Sequence, residues 1–136
     1  MVRELIQDTE ILRKKSKTAT AADKEIAQGL VDTLQANMDK FFGLSANMIG
    51  ERKRIIAICN GPFLVTMLNP KIVSKARKYE TDEECPLLGT SYTLERYETV
   101  TVSWQDLQMQ TRCTILDGFQ AQEVQHLIDH LDGKLV

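Results

Sequence analysis

The two histidines of this chain, His126 and His130, lie four residues apart near its C-terminal end. In a helix, side chains with this spacing lie one turn apart on the same face, so both imidazoles can point at one metal ion. The three cysteines, Cys59, Cys85 and Cys113, are odd in number and irregularly spaced, which argues against a disulfide framework. A cysteine with a chemical role is therefore expected to be a metal ligand or a nucleophile. The histidine pair alone is also compatible with a coincidental spacing on a half-exposed helix.

The segment from Asp117 to Gly133 is predicted to form the helix that carries these histidines. Asp117 suits the N-cap because its carboxylate accepts hydrogen bonds from free backbone N–H groups, and Gly133 suits the C-cap because it tolerates a left-handed backbone. The apolar side of this helix is predicted to consist of Val124, Leu127, Ile128 and Leu131.

An amphipathic helix is predicted nearer the N-terminus, over residues 21–39. Residues 20–23 are close to a capping box, which satisfies free N–H groups in the first turn of a helix. Apolar residues then recur every four positions, at Ile26, Leu30, Leu34 and Met38.

The middle of the chain is predicted to form antiparallel strands. Residues 54–59 and 63–68 are rich in β-formers and flank the Asn-Gly-Pro sequence at 60–62, which suits a hairpin turn. Further strands are predicted at 71–73, 100–104 and 112–116. Cys59 and Cys113 fall within these predicted strands and are therefore expected in the core.

The size and charge of the chain limit the classes of function. Its 136 residues and 15.4 kDa predict one domain over residues 1–136. With 17 Lys and Arg against 19 Asp and Glu, the net charge of −2 gives no excess positive potential, so nucleic acid is not an expected partner. No apolar stretch reaches the roughly 18 residues of a membrane span, and the N-terminus is polar and acidic. A cytoplasmic protein without a membrane partner is expected.

Three segments together resemble the peptide deformylase family. Residues 42–50, FGLSANMIG, resemble its loop G-x-G-(apolar)-A-A-x-Q-x-G, and residues 83–87, EECPL, resemble its E-G-C-L-S. Residues 125–133, QHLIDHLDG, resemble its Q-H-E-x-D-H-L-x-G, and the three motifs occur in the family's order and spacing. Because further likeness extends over essentially the whole chain, the sequence is identified as a divergent member of this family.

The resemblance implies an α+β fold, in which antiparallel strands surround a C-terminal metal-binding helix and an N-terminal amphipathic helix packs nearby. It implies that Cys85, His126 and His130 bind one divalent transition metal, Fe²⁺, Zn²⁺ or Ni²⁺, with an open position for water. Asp129 matches the family's Asp and is expected to orient a ligand or cap a loop. For Cys85 the alternative is a small buried apolar residue.

The implied activity is removal of the formyl group from N-formylmethionyl peptides. The implied substrate positions are Phe42, Gly43 and Leu44 at the edge of the peptide groove, with Met48 and Pro86 at the positions that face the developing oxyanion. The expected ligand is therefore an N-terminal peptide segment or another small amide, and the oligomeric state is not predicted.

The sequence departs from the family at each catalytic group other than the metal ligands. Leu127 replaces the acid/base Glu and cannot move a proton, Met48 replaces the Gln whose amide donates to the oxyanion, and Pro86 lacks the backbone N–H of the family residue. A positioned acid/base is worth about 10²–10⁴-fold in rate, and one oxyanion donor about 10²–10³-fold. The activity is therefore expected to be weak or lost.

Glu123 is the one residue expected to compensate for these losses. It lies three residues before His126, so a regular helix places it on the face of the metal ligands. The alternative is a solvated Glu on an acidic helix. Two hypotheses follow: a deformylase-type hydrolase that is slow or retuned to another amide, and a non-catalytic metal-binding homologue that binds a peptide or partner.

Overall fold

Five strands, joined in chain order, form one antiparallel sheet in the computed structural model, which describes residues 1–136. Three α-helices accompany the sheet, and the elements follow one another as α1 (Thr9–Leu12), α2 (Lys24–Ala36), β1 (Gly43–Ser45), β2 (Ile55–Asn60), β3 (Phe63–Glu84), β4 (Ser91–Gln105), β5 (Thr111–Asp117) and α3 (Gly118–Leu131). The strand order is β1-β2-β3-β4-β5, with every neighbouring pair antiparallel. The predicted α+β class, with antiparallel strands and a C-terminal helix, is confirmed.

The hairpin predicted around residues 60–62 joins β2 to β3. Gly61 has a φ of 63°, a left-handed value that glycine adopts without steric cost. Residues 71–73 are a strand, as predicted, but not a separate one, because β3 continues through them. Its register with β4 shifts between Leu68 and Lys71, where Asn69 has a φ of 51°. The intervening Pro70 has no N–H to donate, so this point forms a bulge within one long strand.

The N-terminal amphipathic helix is shorter than predicted. Thr20 and Asp23 form the expected capping box around a single 3₁₀ turn, and the α-helix itself spans Lys24–Ala36. Leu30 and Leu34 are fully buried, as the periodicity predicts. The prediction for Met38 is wrong: it lies beyond the helix and is 44% exposed. Because the helix ends at Ala36, the helical repeat no longer determines the direction of Met38.

The helix α3 packs its apolar side against the sheet. The four residues predicted for that side, Val124, Leu127, Ile128 and Leu131, are all buried. Asp117 occupies the N-cap without a side-chain hydrogen bond, while Asp132 is the C-cap and Gly133 follows it with a φ of 82°. Gly133 is therefore one position beyond its predicted place, where the left-handed residue commonly stands. No helix of the protein is both long and apolar enough to cross a membrane.

Of the two cysteines predicted in the core, Cys59 and Cys113, only one is even partly buried. Cys59 is half-buried, but Cys113 is exposed, so its predicted core position is wrong. Successive residues of a strand point to opposite faces, and Leu116, three positions later in β5, is the residue that points inward.

Candidate functional site

Cys85, His126 and His130 converge in a buried cluster, although 45 residues separate the first from the last. The Sγ atom of Cys85 lies 3.6 Å from Nε2 of His130, and the Nε2 atoms of the two histidines lie 2.9 Å apart. All three possible ligand atoms lie within 4.8 Å of one another. The long-range packing of α3 against the end of β3 thus creates one site with one sulfur and two nitrogen donors.

A tight turn positions Cys85 immediately after β3. Its carbonyl oxygen accepts hydrogen bonds from the N–H groups of Leu88 at 3.2 Å and Gly89 at 2.8 Å. Pro86 stands at the first corner of this turn, where its restricted φ is favourable. Gly89 has a left-handed φ of 66° and closes the turn. The turn holds the thiol towards α3, where the rings of the two histidines stack with centroids 4.8 Å apart.

The donor set fits a divalent transition metal. One thiolate and two imidazoles are ligands of intermediate softness, typical of Zn²⁺, Fe²⁺ and Ni²⁺, and three protein ligands leave a fourth tetrahedral position open. Nδ1 of His126 lies 2.9 Å from Oε1 of Glu83, and this bond turns Nε2 towards the cluster. A single ion at this point can bind all three donor atoms.

The pKa shifts of Cys85 and His126 act on metal binding in opposite directions. Burial raises the pKa of Cys85, but its interactions with His126 and His130 outweigh burial and lower that pKa to about 6. Burial lowers the pKa of His126, but its interactions with Cys85 and Glu83 outweigh this and raise that pKa to about 9. The thiolate is therefore available at neutral pH, and a bound cation displaces the proton that the imidazole holds.

A buried ion pair contacts His126 through Nδ1, on the side of the ring opposite the cluster. The guanidinium of Arg96 donates to both oxygens of Glu83 at 2.9 and 2.8 Å, and to Oδ2 of Asp129 at 2.7 Å. Burial raises the pKa of Glu83, but hydrogen bonds from His126 and Arg96 outweigh it and lower that pKa to about 2. Glu83 is therefore charged and can hold the Nδ1 proton of His126, which orients the ring.

We expect Glu83→Gln to lower the affinity of the site for Zn²⁺ by about 10–100-fold, because a neutral amide orients the imidazole less firmly and removes one of the two carboxylates that pair with Arg96. Competition with a chromophoric chelator measures this affinity. Glu98→Gln is the matched control: its ion pair with Arg77, at 2.9 Å, is exposed and should not affect the metal. Equal affinity in both variants would contradict the positioning role of Glu83.

The three departures from the family pattern lie at the cluster. Leu127 is buried, and its Cδ1 lies 2.7 Å from the point that a Cβ on Gly43 would occupy, so a larger residue at position 43 would force the Leu127 side chain to shift. Met48 is buried, and its Sδ accepts the N–H of Ser45 at 3.3 Å. Pro86 is exposed at the turn. None of these three residues offers a titratable group or an N–H donor to a ligand.

Glu123 lines the small cavity, about 40 Å³, that reaches the three ligand residues. Its Oε1 lies 3.2 Å from the point that a Cβ on Gly43 would occupy. No hydrogen bond or ion pair of the structure includes this carboxylate. Burial, the largest effect, raises the pKa of Glu123 to about 7. The helical spacing thus predicted its side correctly, and the group is poised to gain or lose a proton near neutral pH.

A larger pocket of about 240 Å³ adjoins the cluster, and we call it the side-chain pocket. Phe42 and Phe119 form part of its wall, with ring centroids 4.9 Å apart in an edge-to-face arrangement. The backbone of Gly43 and Leu44 lies in β1, an edge strand of the sheet. Leu44 is fully buried, so neither its side chain nor its backbone is open to solvent.

Sequence reasoning did not assign the roles of Glu83, Arg96 and Phe119. Glu83 stands two residues before the ligand Cys85, and Arg96 is a charged residue in a strand, but neither pattern identifies a buried ion pair. Phe119 carries no signal beyond its apolar type. Their functions depend on which side chains face them across the fold.

Comparisons with known proteins find similar sequences and a similar fold. A family profile described as Polypeptide deformylase matches residues 2–136. The chain is 39% identical over 137 residues to Peptide deformylase of Clostridium beijerinckii, covering 100% of both proteins. It is 34% identical over 134 residues to Peptide deformylase 2 of Clostridium acetobutylicum, covering 96% of this chain and 89% of that one. The Met-Ala-Ser-bound class I type b peptide deformylase of Acinetobacter baumannii has a TM-score of 0.87 at 25% identity, covering 99% of this chain and 97% of that one.

Proposed function

This chain belongs to the polypeptide deformylase family, and from that premise we propose that it is a metal-dependent hydrolase of N-formyl peptides whose turnover of formyl-Met substrates is low. The observation that carries the proposal is the convergence of Cys85, His126 and His130 beside a pocket, in a chain that matches the family over its full length. In this reaction water adds to the formyl carbon, the C–N bond breaks, and formate and the free amine of the peptide leave.

The three ligand residues would hold the metal. When a divalent transition metal is bound by Cys85, His126 and His130, it acts as a Lewis acid towards a carbonyl oxygen and lowers the pKa of a water molecule. Glu83 holds the ring of His126 in place through Nδ1, at 2.9 Å. These residues supply binding and orientation, while proton transfer and stabilisation of the oxyanion need other groups of the chain.

The edge strand β1 is the proposed docking site for the peptide backbone. It lies at the edge of the sheet and pairs only with β2, and an edge strand can pair with an extended peptide. Phe42, immediately before this strand, lines the side-chain pocket. A peptide paired with β1 therefore places its first side chain next to the pocket and its N-terminal group next to the cluster.

Glu123 is proposed as the substitute acid/base. Its raised pKa, its lack of a partner and its position on the cavity of the cluster support a role in accepting the proton of the attacking water and passing it to the leaving amine. The side chain of Met48 and the backbone nitrogen of Pro86 have no N–H group that could replace the missing oxyanion donors. A group worth about 10²–10³-fold in rate is thus absent, which is the reason for expecting slow turnover.

Formate release from formyl-Met-Ala-Ser by the Zn²⁺-loaded or Fe²⁺-loaded protein tests the proposal. We expect measurable but slow release, and a further fall of about 10²-fold in kcat for Glu123→Gln with the metal still bound, because an amide cannot transfer the proton. Metal content measured on the same sample separates loss of catalysis from loss of the ion. An unchanged rate in Glu123→Gln would remove this residue from the mechanism.

A non-catalytic role is the second candidate function. It is favoured because Met48, Pro86 and Leu127 stand where the family has three catalytic groups. In that case the metal stabilises the fold, and the edge of β1 with its pocket binds a peptide without cleaving it. Peptide binding without any formate release, in protein that contains one metal per chain, would select this function over the first.

A further inference from the structure

The two histidines of the cluster are held in different ways. Oε1 of Glu83 lies 2.9 Å from Nδ1 of His126 and orients that ring. Nδ1 of His130 is buried and has no hydrogen-bond partner in the protein, while its Nε2 atom faces the cluster. A metal-binding imidazole is normally fixed by a hydrogen bond at its second nitrogen. The direction of the His130 ring therefore depends on packing and on the main chain that carries it.

His130 lies in the part of α3 where a helix is least rigid. It is the last residue but one of this helix, and His126 lies one turn further inside. The carbonyl groups of the last turn have no N–H partner further along the helix, so this end frays unless other groups bind them. The direction of the His130 side chain depends on this turn staying helical.

A side chain from outside the helix binds the carbonyl oxygen of His130. Nδ2 of Asn47 donates to it at 2.8 Å, in addition to the N–H of Gly133 at 3.0 Å. Asn47 lies 83 residues away in the sequence and is fully buried, as His130 is. A hydrogen bond shielded from water in this way is costly to break, because water does not replace the lost partner.

Ser45 fixes the direction of the Asn47 amide. Its hydroxyl donates to Oδ1 of Asn47 at 2.6 Å, which leaves Nδ2 turned towards the carbonyl of His130. A flipped amide would bring Oδ1 against that carbonyl, and neither oxygen has a proton to donate. Ser45 is fully buried as well. The three residues form one buried chain of hydrogen bonds, from Ser45 through Asn47 to His130.

We propose that Asn47 is a positioning residue for the metal ligand His130, acting through the main-chain carbonyl, and that Ser45 holds its amide in the required direction. The inference rests on the metal site of the proposed function, but not on whether this site hydrolyses formyl peptides. Met48 follows Asn47, and its sulfur accepts the N–H of Ser45 at 3.3 Å. The same turn therefore also fixes the place of Met48 relative to α3.

Asn47→Leu tests the proposal, because leucine has a similar size but cannot donate to the carbonyl. We expect the affinity for Zn²⁺, measured by competition with a chromophoric chelator, to fall about tenfold, as for other groups that orient a ligand without touching the metal. The Co²⁺-loaded variant, at saturating metal, should show shifted d–d absorption bands, because these bands report the geometry of the ligands. A loss of fold stability alone would not shift them.

Ser45→Ala tests the same chain of hydrogen bonds without changing Asn47, and it serves if Asn47→Leu does not fold. It should weaken Zn²⁺ binding by a smaller factor than Asn47→Leu. In the Asn47→Leu background it should have no further effect on the affinity, since Ser45 acts through Asn47. A further loss of the same size in that background would overturn the role assigned to Ser45.

Thr33→Val is the matched control. Thr33 is fully buried, and its hydroxyl donates to the carbonyl of Gly29 at 2.7 Å and accepts the N–H of Arg3 at 2.8 Å, without contact to a ligand residue. This variant should lower the Tm without changing the Zn²⁺ affinity or the Co²⁺ bands. A loss of Zn²⁺ affinity equal to that of Asn47→Leu would show a general effect of stability and overturn the positioning role.

The outcomes separate this inference from the proposed function. Unchanged Zn²⁺ affinity and Co²⁺ bands in Asn47→Leu would overturn the inference, while metal binding and formate release by the parent would stand. Weaker Zn²⁺ binding and shifted bands in Asn47→Leu, without formate release by the parent, would support the inference and overturn the hydrolytic function. A parent protein that binds no divalent metal would overturn both.

Discussion

The triple variant Met48→Gln, Pro86→Leu, Leu127→Glu is expected to raise kcat/KM for formyl-Met-Ala-Ser by at least about 10²-fold over the parent protein. It restores an acid/base, worth about 10²–10⁴-fold, and two oxyanion donors, each worth about 10²–10³-fold. These effects overlap, so the gain is smaller than their product. Formate release at equal metal content measures it.

The structure supports each substitution at its position. Met48 accepts the N–H of Ser45 through its sulfur, and a glutamine Oε1 can take over this bond while its amide N–H₂ faces the ligand. Leu127 points at Gly43 beside the ligand cluster, so a glutamate there places its carboxylate at the cavity. Replacing Pro86 returns a backbone N–H but makes the turn after Cys85 less rigid, at a cost of about 0.4–1 kcal/mol.

The single variant Leu127→Glu is the informative control. It returns a proton-transfer group to a site that still lacks oxyanion donors, so we expect little gain from it alone. Pro86→Leu alone should keep one metal per chain, which shows that the looser turn still presents Cys85. If the triple variant and the parent had equal, negligible rates with metal bound in both, the proposal that these three positions limit the rate would be wrong.

Cys85→Ala is expected to lower the bound metal to well below one ion per chain. It removes the sulfur donor and leaves the Nε2 atoms of His126 and His130 as the only ligands at the cluster. Metal binding to the folded state also stabilises it, by about 2.7 kcal/mol when the free ion is at 100 times its Kd. A chelator should therefore lower the Tm of the parent by several degrees and change that of Cys85→Ala little.

Elemental analysis and thermal unfolding measure these two effects on the same preparations. Cys113→Ala is the matched control, because that cysteine is exposed and distant from the cluster in the sequence, and it should keep both the metal and the response to the chelator. His130→Ala should behave like Cys85→Ala. Full metal occupancy with unchanged affinity in Cys85→Ala would disprove the three-ligand site.

Local sequence patterns predicted most of the secondary structure. The buried face of α3, the capping box at Thr20 and the hairpin at Gly61 follow from helical periodicity, side-chain capping and turn geometry, which involve residues a few positions apart. Two predictions of buried residues were wrong. Met38 continues a repeat of four beyond the end of the helix, and Cys113 lies in a correctly predicted strand but on its outer face. A strand predicted from composition alone does not indicate which of its faces is buried.

Some features of the site can also be predicted from the sequence, and others cannot. The sequence shows which residue types could bind a metal. It also predicts that His126 and Glu123 share one face of their helix, since the spacing of residues on a helix determines their direction. The ion pair of Glu83 with Arg96 and the pocket between Phe42 and Phe119 depend on elements far apart in the chain. Only the tertiary structure decides these contacts, because burial, partner choice and the resulting pKa values arise from packing between elements that no local pattern encodes.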